Sequence, residues 1–519
     1  MPVALEELRG LAKALVAKDP DLWGPQAREE AEQRLGWLDL PETSEALLPQ
    51  LRALRDRFAA AQLDHVVLAG MGGSSLAPEV ITHTAGVELT VLDSTDPHQV
   101  GAALADRLER TVVVVASKSG GTIETDSHYR AYSQAFTDAG IDPAERIVVV
   151  TDPGSPLEDR ARRAGQEVVL ADPNVGGRYS ALSAFGLTPS LLAGADVERL
   201  LADARVLSTE LAEDDNAGIV LGSAMGHGAL AGHDKLVLAD NNSGLVGFGD
   251  WAEQLIAEST GKEGTGILPV VVEGLDAPGF AEARPDAHRV VLGQETTDFD
   301  GTTVTGSLGG QFLLWEYATA VAGRVLGINP FDQPNVAESK ENTSKILDAA
   351  GDGPLPEGEP ALVDGDVAVY GDLAAIGSPT DLAGVLTGLL GQVPDRGYLA
   401  IMAYLNRHEE SAAAGLRPRL CRRIDGRATT FGWAPRFLHS TGQFHKGGPQ
   451  VGVFLQITGA VERDVPVPGR PFTFGRLQMA QALGDLGALV ERRRPVVRLH
   501  LRRRAEGVQQ LLTASEEGG

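Results

Sequence analysis

The chain has 519 residues, 43% of them hydrophobic, and a formal net charge of -26. At roughly 150 residues per domain this length predicts three to four folding units, and the apolar content excludes an intrinsically disordered chain. The acidity opposes binding to a nucleic-acid backbone or an anionic membrane, and the single cysteine, Cys421, leaves no internal disulfide and no cysteine-rich zinc site.

The opening MPVALEELRG is acidic and lacks the basic-then-apolar pattern of a signal peptide. Apolar runs such as Val112 to Ala116 are too short to cross a bilayer. The expectation is a soluble, cytoplasmic protein. Up to residue 61 the chain is rich in Ala, Leu, Glu and Arg at helical spacing, which predicts an N-terminal helical segment over 1–61. Short β-branched runs then follow: HVVLAG (His65–Gly70), VELTVLDSTDP (Val87–Pro97), TVVVVASKSG (Thr111–Gly120), RIVVVTDPG (Arg146–Gly154) and QEVVLADPN (Gln166–Asn174). Amphipathic stretches separate them, so a parallel sheet covered by helices on both faces is expected over 62–200.

A second α/β region, 201–350, contains the strand-like KLVLAD (Lys235–Asp240), GILPVVVEG (Gly266–Gly274) and HRVVLG (His288–Gly293), then a helix from Phe312 to Leu326. The Gly/Pro-rich GDGPLPEGEP (Gly351–Pro360) reads as a linker. A third unit, α/β or α+β, is expected over 361–513, with VGVFLQITG (Val451–Gly459) as one of its strands.

Two turns carry the sharpest chemical signals. GMGGSSLAPEV (Gly70–Val80) follows a strand directly, and its glycines let the backbone present N–H groups at a helix N-terminus, a natural anion site. The alternative is an ordinary tight strand–helix turn. SKSGGTIET (Ser117–Thr125) offers the hydroxyls of Ser117, Ser119 and Thr122 beside Gly120 and Gly121, a composition suited to a phosphate. It lacks the Gly-Lys-Ser/Thr ending of a Walker loop. The alternative here is a capped helix start with Ser117 or Ser119 as the N-cap. Ligands of open parallel sheets sit beyond the C-terminal strand ends, and two such turns in one region favour binding.

The two turns resemble those of the sugar isomerase (SIS) fold, which binds phosphosugars. With VGGRYSALSAFGL (Val175–Leu187), WAEQLIAESTGK (Trp251–Lys262) and NPFDQPNVAESK (Asn329–Lys340), they resemble the glucose-6-phosphate isomerase family in content and order. The likeness is nearest to the actinobacterial type that also occurs fused to transaldolase, and no transaldolase portion is apparent. The resemblance implies two SIS-type doubly wound parallel-sheet domains ahead of the C-terminal domain. It implies no metal and no cofactor, because a proton moves and no electrons leave the substrate. The implied reaction interconverts D-glucose 6-phosphate and D-fructose 6-phosphate through a cis-enediol(ate). The implied partners are a phosphorylated hexose and a second copy of the chain in a homodimer, with no nucleic acid and no membrane.

Residue by residue, the resemblance makes Gly73 and Ser74 sugar contacts, and Ser117, Lys118, Ser119 and Thr122 the phosphate loop, with Ser119 in place of the usual Thr. Gly120 and Gly121 replace bulkier residues. Arg178 would stabilise the enediolate charge more than the neutral substrate, the condition for catalysis. Glu258 would be the base that moves the proton between C2 and C1, with Gln254 on the same helical face. Gln333 would contact the sugar and Lys340 would assist ring handling.

In one respect the chain departs from the family. The histidine that assists ring opening after the E-S-x-G-K motif is absent, since Glu263 to Phe280 contains none. His288, the next one, lies in unmatched context. RFLHSTGQFHKGGPQ (Arg436–Gln450), read as a loop, offers His439 and His445 as substitutes. The alternatives are structural histidines there, Lys340 acting alone, or use of the open-chain sugar. The basic ERRRPVVRLHLRRR (Glu491–Arg504) could bind nucleic acid, but in so acidic a protein it reads as a strand with a solvated face whose charges pair within the chain or between subunits. Two other functions stay open at this stage: a dual phosphoglucose/phosphomannose isomerase, and a non-catalytic phosphosugar sensor.

Overall fold

Uninterrupted β-branched runs have no polar face to offer water, so they form strands buried on both sides. The computed structural model describes Leu8, residues 10–296 and residues 299–516. Its first sheet contains β1 (His65–Gly70), β2 (Thr90–Leu92), β3 (Thr111–Ala116), β4 (Ile147–Thr151) and β5 (Glu167–Leu170), in the order β2-β1-β3-β4-β5. Every pairing is parallel. The order reverses between β1 and β3, and a ligand crevice opens at such a switch point. The two Gly/Ser turns follow these two strands. Helix α1 (Leu76–Ala85) leaves the first turn and α2 (Ile123–Asp138) leaves the second.

A second parallel sheet has the order β7-β6-β8-β9, with β6 (Lys235–Asn241), β7 (Leu268–Val272), β8 (Ala287–Gly293) and β9 (Thr302–Val304). Between β6 and β7 runs α3 (Phe248–Thr260). The nineteen-residue α4 (Leu308–Leu326) starts four residues before the helix expected from the sequence. It is followed by α5 (Val336–Ala350). Residues 351–360 contain no helix or strand.

The third sheet is mixed. It comprises β10 (Leu362–Asp364), β11 (Val367–Tyr370), β12 (Tyr398–Tyr404), β13 (Ala428–Trp433), β14 (Gly452–Gly459) and β15 (Val496–Leu501), in the order β10-β11-β15-β14-β12-β13. The pairs β10–β11 and β11–β15 are antiparallel and the others parallel. The whole is α/β. Helix α6 (Phe474–Glu491) belongs to this unit.

One apolar core joins the N-terminal helices to both parallel sheets. Two further clusters tie the third unit to those sheets: Phe454 and Tyr398 share a core with Val270 and Val291, and Phe474 packs with Val113 and Tyr132. Among the described residues no helix is long and apolar enough to cross a membrane.

The structure corrects two sequence expectations. The stretch from Arg436 to Gln450 is not a loop: residues Arg436–His439 form a 3-10 turn and Gly442–Gly447 a short helix. Nor does β15 have a solvated face, because Arg498 is fully buried with its guanidinium 3.7 Å from the Tyr370 ring centroid. The Tyr370 ring and residue Glu357, whose carbonyl accepts from Arg498 Nη2 at 2.8 Å, cover that face.

Candidate functional site

The turn after β3 is built around its own hydroxyls. Ser117 Oγ accepts the Gly120 N–H at 3.2 Å and donates to Thr122 Oγ1 at 3.4 Å, while Ser119 Oγ accepts the Gly121 N–H at 3.2 Å. Gly120 has φ +71°, and a Cβ there would lie 2.6 Å from Leu157 Cβ. The N-cap of α2 is Thr122, not Ser117 or Ser119, and its side chain makes no capping bond. Without a capping side chain, first-turn N–H groups of α2 are left to other acceptors, and the Glu124 carboxylate takes its own. Lys118 pairs with Asp152 and donates to the Pro173 carbonyl at 3.2 Å.

The turn after β1 is held by close backbone approach. A Cβ on Gly73 would meet the Gly177 carbonyl oxygen at 1.9 Å, so only glycine fits. Gly72, at φ +55°, has the His439 carbonyl oxygen 2.9 Å from where its Cβ would stand. Ser180 Oγ lies 3.3 Å from the Gly73 carbonyl and 2.6 Å from that of Gly177. Ser74 ends the single 3-10 turn here and is partly exposed.

Glu258 lies in the last turn of α3, 9% exposed. Its Oε2 accepts from Gln254 Nε2 at 3.1 Å, four residues back on the same helical face. Its Oε1 lies 3.3 Å from Arg178 Nη1. The Arg178 guanidinium is held on every side: Nε donates to Ser259 Oγ at 2.7 Å, Nη1 to Gln333 Oε1 at 2.8 Å, and Nη2 to the carbonyls of Pro330 and Asp332 at 2.7 and 3.0 Å. Lys262 grips the same segment through the carbonyls of Asn329 and Asp332, at 2.7 and 2.6 Å. Burial lowers the Lys262 pKa to about 8, helped by the nearby Arg178 charge and opposed by Asp332.

The third unit closes the site. Gln254 Nε2 donates to the His439 carbonyl at 2.7 Å, and His439 Nε2 lies 2.9 Å from Glu124 Oε1. Gln481 of α6 donates to the same Glu124 oxygen at 2.7 Å. Burial would raise the Glu124 pKa, but the charge and hydrogen bond of His439, with the Glu124 backbone N–H and the Lys340 charge, outweigh it and hold the carboxyl at about 2. Gly121, Glu124, Lys340, Thr343, His439 and Gln481 line one small cavity, with Lys340 exposed on α5.

Direct contacts thus gather Gly73, Arg178, Gln254, Glu258, Gln333 and His439. Through Gly121 and Glu124 the cavity links the Ser117–Thr122 turn to Lys340. His445 is not part of this group. It is 3% exposed, its Nδ1 lies 3.1 Å from the Tyr398 hydroxyl, and the rings of Tyr398, Phe437 and Phe454 surround it. Burial, with Lys446 and Arg494 nearby, pushes its pKa well below the ordinary value. It is a core histidine.

Glu124, Ser259 and Gln481 also join this group through their contacts, and sequence reasoning did not single them out. For Glu124 one signal was available: an acidic residue inside a hydroxyl- and glycine-rich turn that otherwise invites an anion.

The phosphoglucose isomerase family model matches residues 53–267. The glucose-6-phosphate isomerase of Rubrobacter xylanophilus is 30% identical over 383 residues, covering 59% of this chain and 88% of the relative. That of Acaryochloris marina is 34% identical over 264 residues, 48% of this chain and 50% of the relative. The chain therefore spans about half the length of some curated relatives that it matches. A crystal structure of a hypothetical protein from Thermus thermophilus superposes with a TM-score of 0.54 at 26% identity, covering 65% of this chain and 97% of that one.

Proposed function

Because the chain belongs to the phosphoglucose isomerase family, we propose that it interconverts D-glucose 6-phosphate and D-fructose 6-phosphate. The observation that carries this is the contact between Glu258 and a fully held Arg178. A carboxylate able to move a proton stands beside a fixed cation able to stabilise the oxyanion that results.

In the forward direction the Glu258 carboxylate takes the proton from C2 of the open-chain aldose. The C2–H electron pair forms the C1=C2 double bond, and negative charge moves onto O1, where Arg178 stabilises it. A proton passes from O2 to O1. The enediolate then takes the proton back from Glu258 at C1, leaving the carbonyl at C2. The donors on Arg178 are already oriented, so no reorganisation is needed as charge develops.

Ser117, Lys118, Ser119 and Thr122 hold the phosphate at the start of α2, while Gly73, Ser74, Gln254 and Gln333 contact the sugar. His439, oriented by Glu124, and Lys340 handle the ring, with His439 exchanging the proton between the ring oxygen and the O1 hydroxyl. We assign 62–200 and 201–350 as the two SIS-type domains and 361–513 as the unit that supplies His439. On the family's strength we also read the protein as a cytoplasmic homodimer. Incubating the purified protein with glucose 6-phosphate and measuring fructose 6-phosphate tests the activity, and no product would overturn it.

A further inference from the structure

Beneath the contact between Gly72 and His439 lies a largely buried cluster in which Arg436 and Arg407 meet Glu79 and Asp93, with the Asp250 charge also acting on Arg436. Arg436, at the start of the 3-10 turn that ends in His439, has its Nη2 2.6 Å from Glu79 Oε2 and its Nε 2.6 Å from Asp93 Oδ2. Arg407 Nη1 reaches the other Glu79 oxygen at 2.7 Å. Glu79 stands in the first turn of α1, and Asp93 directly follows β2. Asp93 Oδ2 also accepts from Ser75 Oγ at 3.3 Å, and that hydroxyl lies 3.1 Å from the Gly72 carbonyl. The same cluster therefore supports both walls of the contact: the Gly72 turn from the first sheet and the His439 turn from the third unit.

We propose that Arg436 is a positioning residue, which fixes His439 over Glu124 and the Gly72 turn through its paired anchors on Glu79 and Asp93. This rests on the ring-handling role given to His439 above. Such a cluster is costly to desolvate, and a hydrophobic replacement of similar volume can be as stable. Its value is geometric. Glu79 and Asp93 belong to different elements of the first domain, so a guanidinium ion-paired to both through two nitrogens restrains the turn that carries it. A lysine presents a single point charge and lacks this fork. His439 is three residues further along one 3-10 turn and inherits the placement.

The test is a double-mutant cycle on full-length protein, reading kcat/KM for glucose 6-phosphate, with thermal unfolding as the check on folding. Arg436→Met is expected to lower kcat/KM by about a hundredfold, the scale of a misplaced catalytic group. His439→Ala is expected to lower it at least as much, and the double variant is expected to be no slower than His439→Ala alone. Arg407→Met, which weakens the same cluster from outside the turn, should show a smaller loss that also vanishes in the His439→Ala background. It serves as the second probe if Arg436→Met does not fold. A full multiplicative loss in the double variant would overturn the proposal, as would a folded Arg436→Met with unchanged kcat/KM beside a slow His439→Ala. An unchanged His439→Ala would instead sink the role given to His439, and the positioning claim with it.

Discussion

Arg178 and Glu258 stand 3.3 Å apart, nitrogen to oxygen, although 80 positions separate them along the chain. The arginine arrives on a turn packed against Gly73, and the glutamate on the last turn of α3. Because Ser259, Gln333 and the carbonyls of Pro330 and Asp332 hold the guanidinium, its position is set before any substrate binds.

Arg178→Lys should therefore fail as a conservative change. An ammonium cannot satisfy four acceptors on three sides and still face the reacting oxygen. We expect kcat to fall by about a hundredfold to a thousandfold, the scale of a lost oxyanion donor. Steady-state kinetics check this, and near-normal kcat in the lysine variant would contradict it.

Gly73→Ala should be destabilised whatever its effect on binding. The new methyl would lie 1.9 Å from the Gly177 carbonyl oxygen, a backbone atom that cannot swing aside. Moving the Gly177 turn would also drag Arg178. We expect a loss of about 3 kcal/mol or more in stability, read as a lowered unfolding midpoint together with lost turnover.

Much of this arrangement is legible in the sequence, and its limits are physical. β1 and β3 announce themselves because Val66–Ala69 and Val112–Ala116 are apolar runs buried on both faces, and the polar His65 and Thr111 at their starts are paired with each other at 2.8 Å. The turns after them are legible as turns because Gly and Ser clusters end the apolar runs. The choice between His439 and His445 is not legible, since both sit in one Gly-rich stretch. Distant partners decide it: Glu124 and Gln254 for the first, Tyr398 and Phe454 for the second. Arg498 shows the same limit, because nothing local reveals that Tyr370 covers it.

That difference between the two histidines is testable. His445→Ala should keep the ring-handling chemistry but lose roughly 3 kcal/mol of stability, as expected for a buried ring deleted from an aromatic core. Anomer-resolved assays and thermal unfolding separate the effects. Slow ring opening in a stably folded His445→Ala would contradict the assignment.

The Glu124–His439 pair has a consequence in acid. The Glu124 pKa falls from 4.5 to about 2 on folding, so its contribution to stability is fully present above about pH 4.5 and is lost as pH falls toward 2. Unfolding followed across that range should show a steeper decline for wild type than for Glu124→Gln. Parallel curves would mean that the ionised pair contributes nothing.

The central claim is that Glu258 moves a carbon-bound proton. Deuterium exchange at C2 of glucose 6-phosphate in heavy water tests it most directly, comparing wild type with Glu258→Gln. Wild type is expected to exchange, and the folded variant, whose amide cannot take the proton, is expected to show none above background. Exchange at the wild-type rate in Glu258→Gln, or none in wild type, would contradict it.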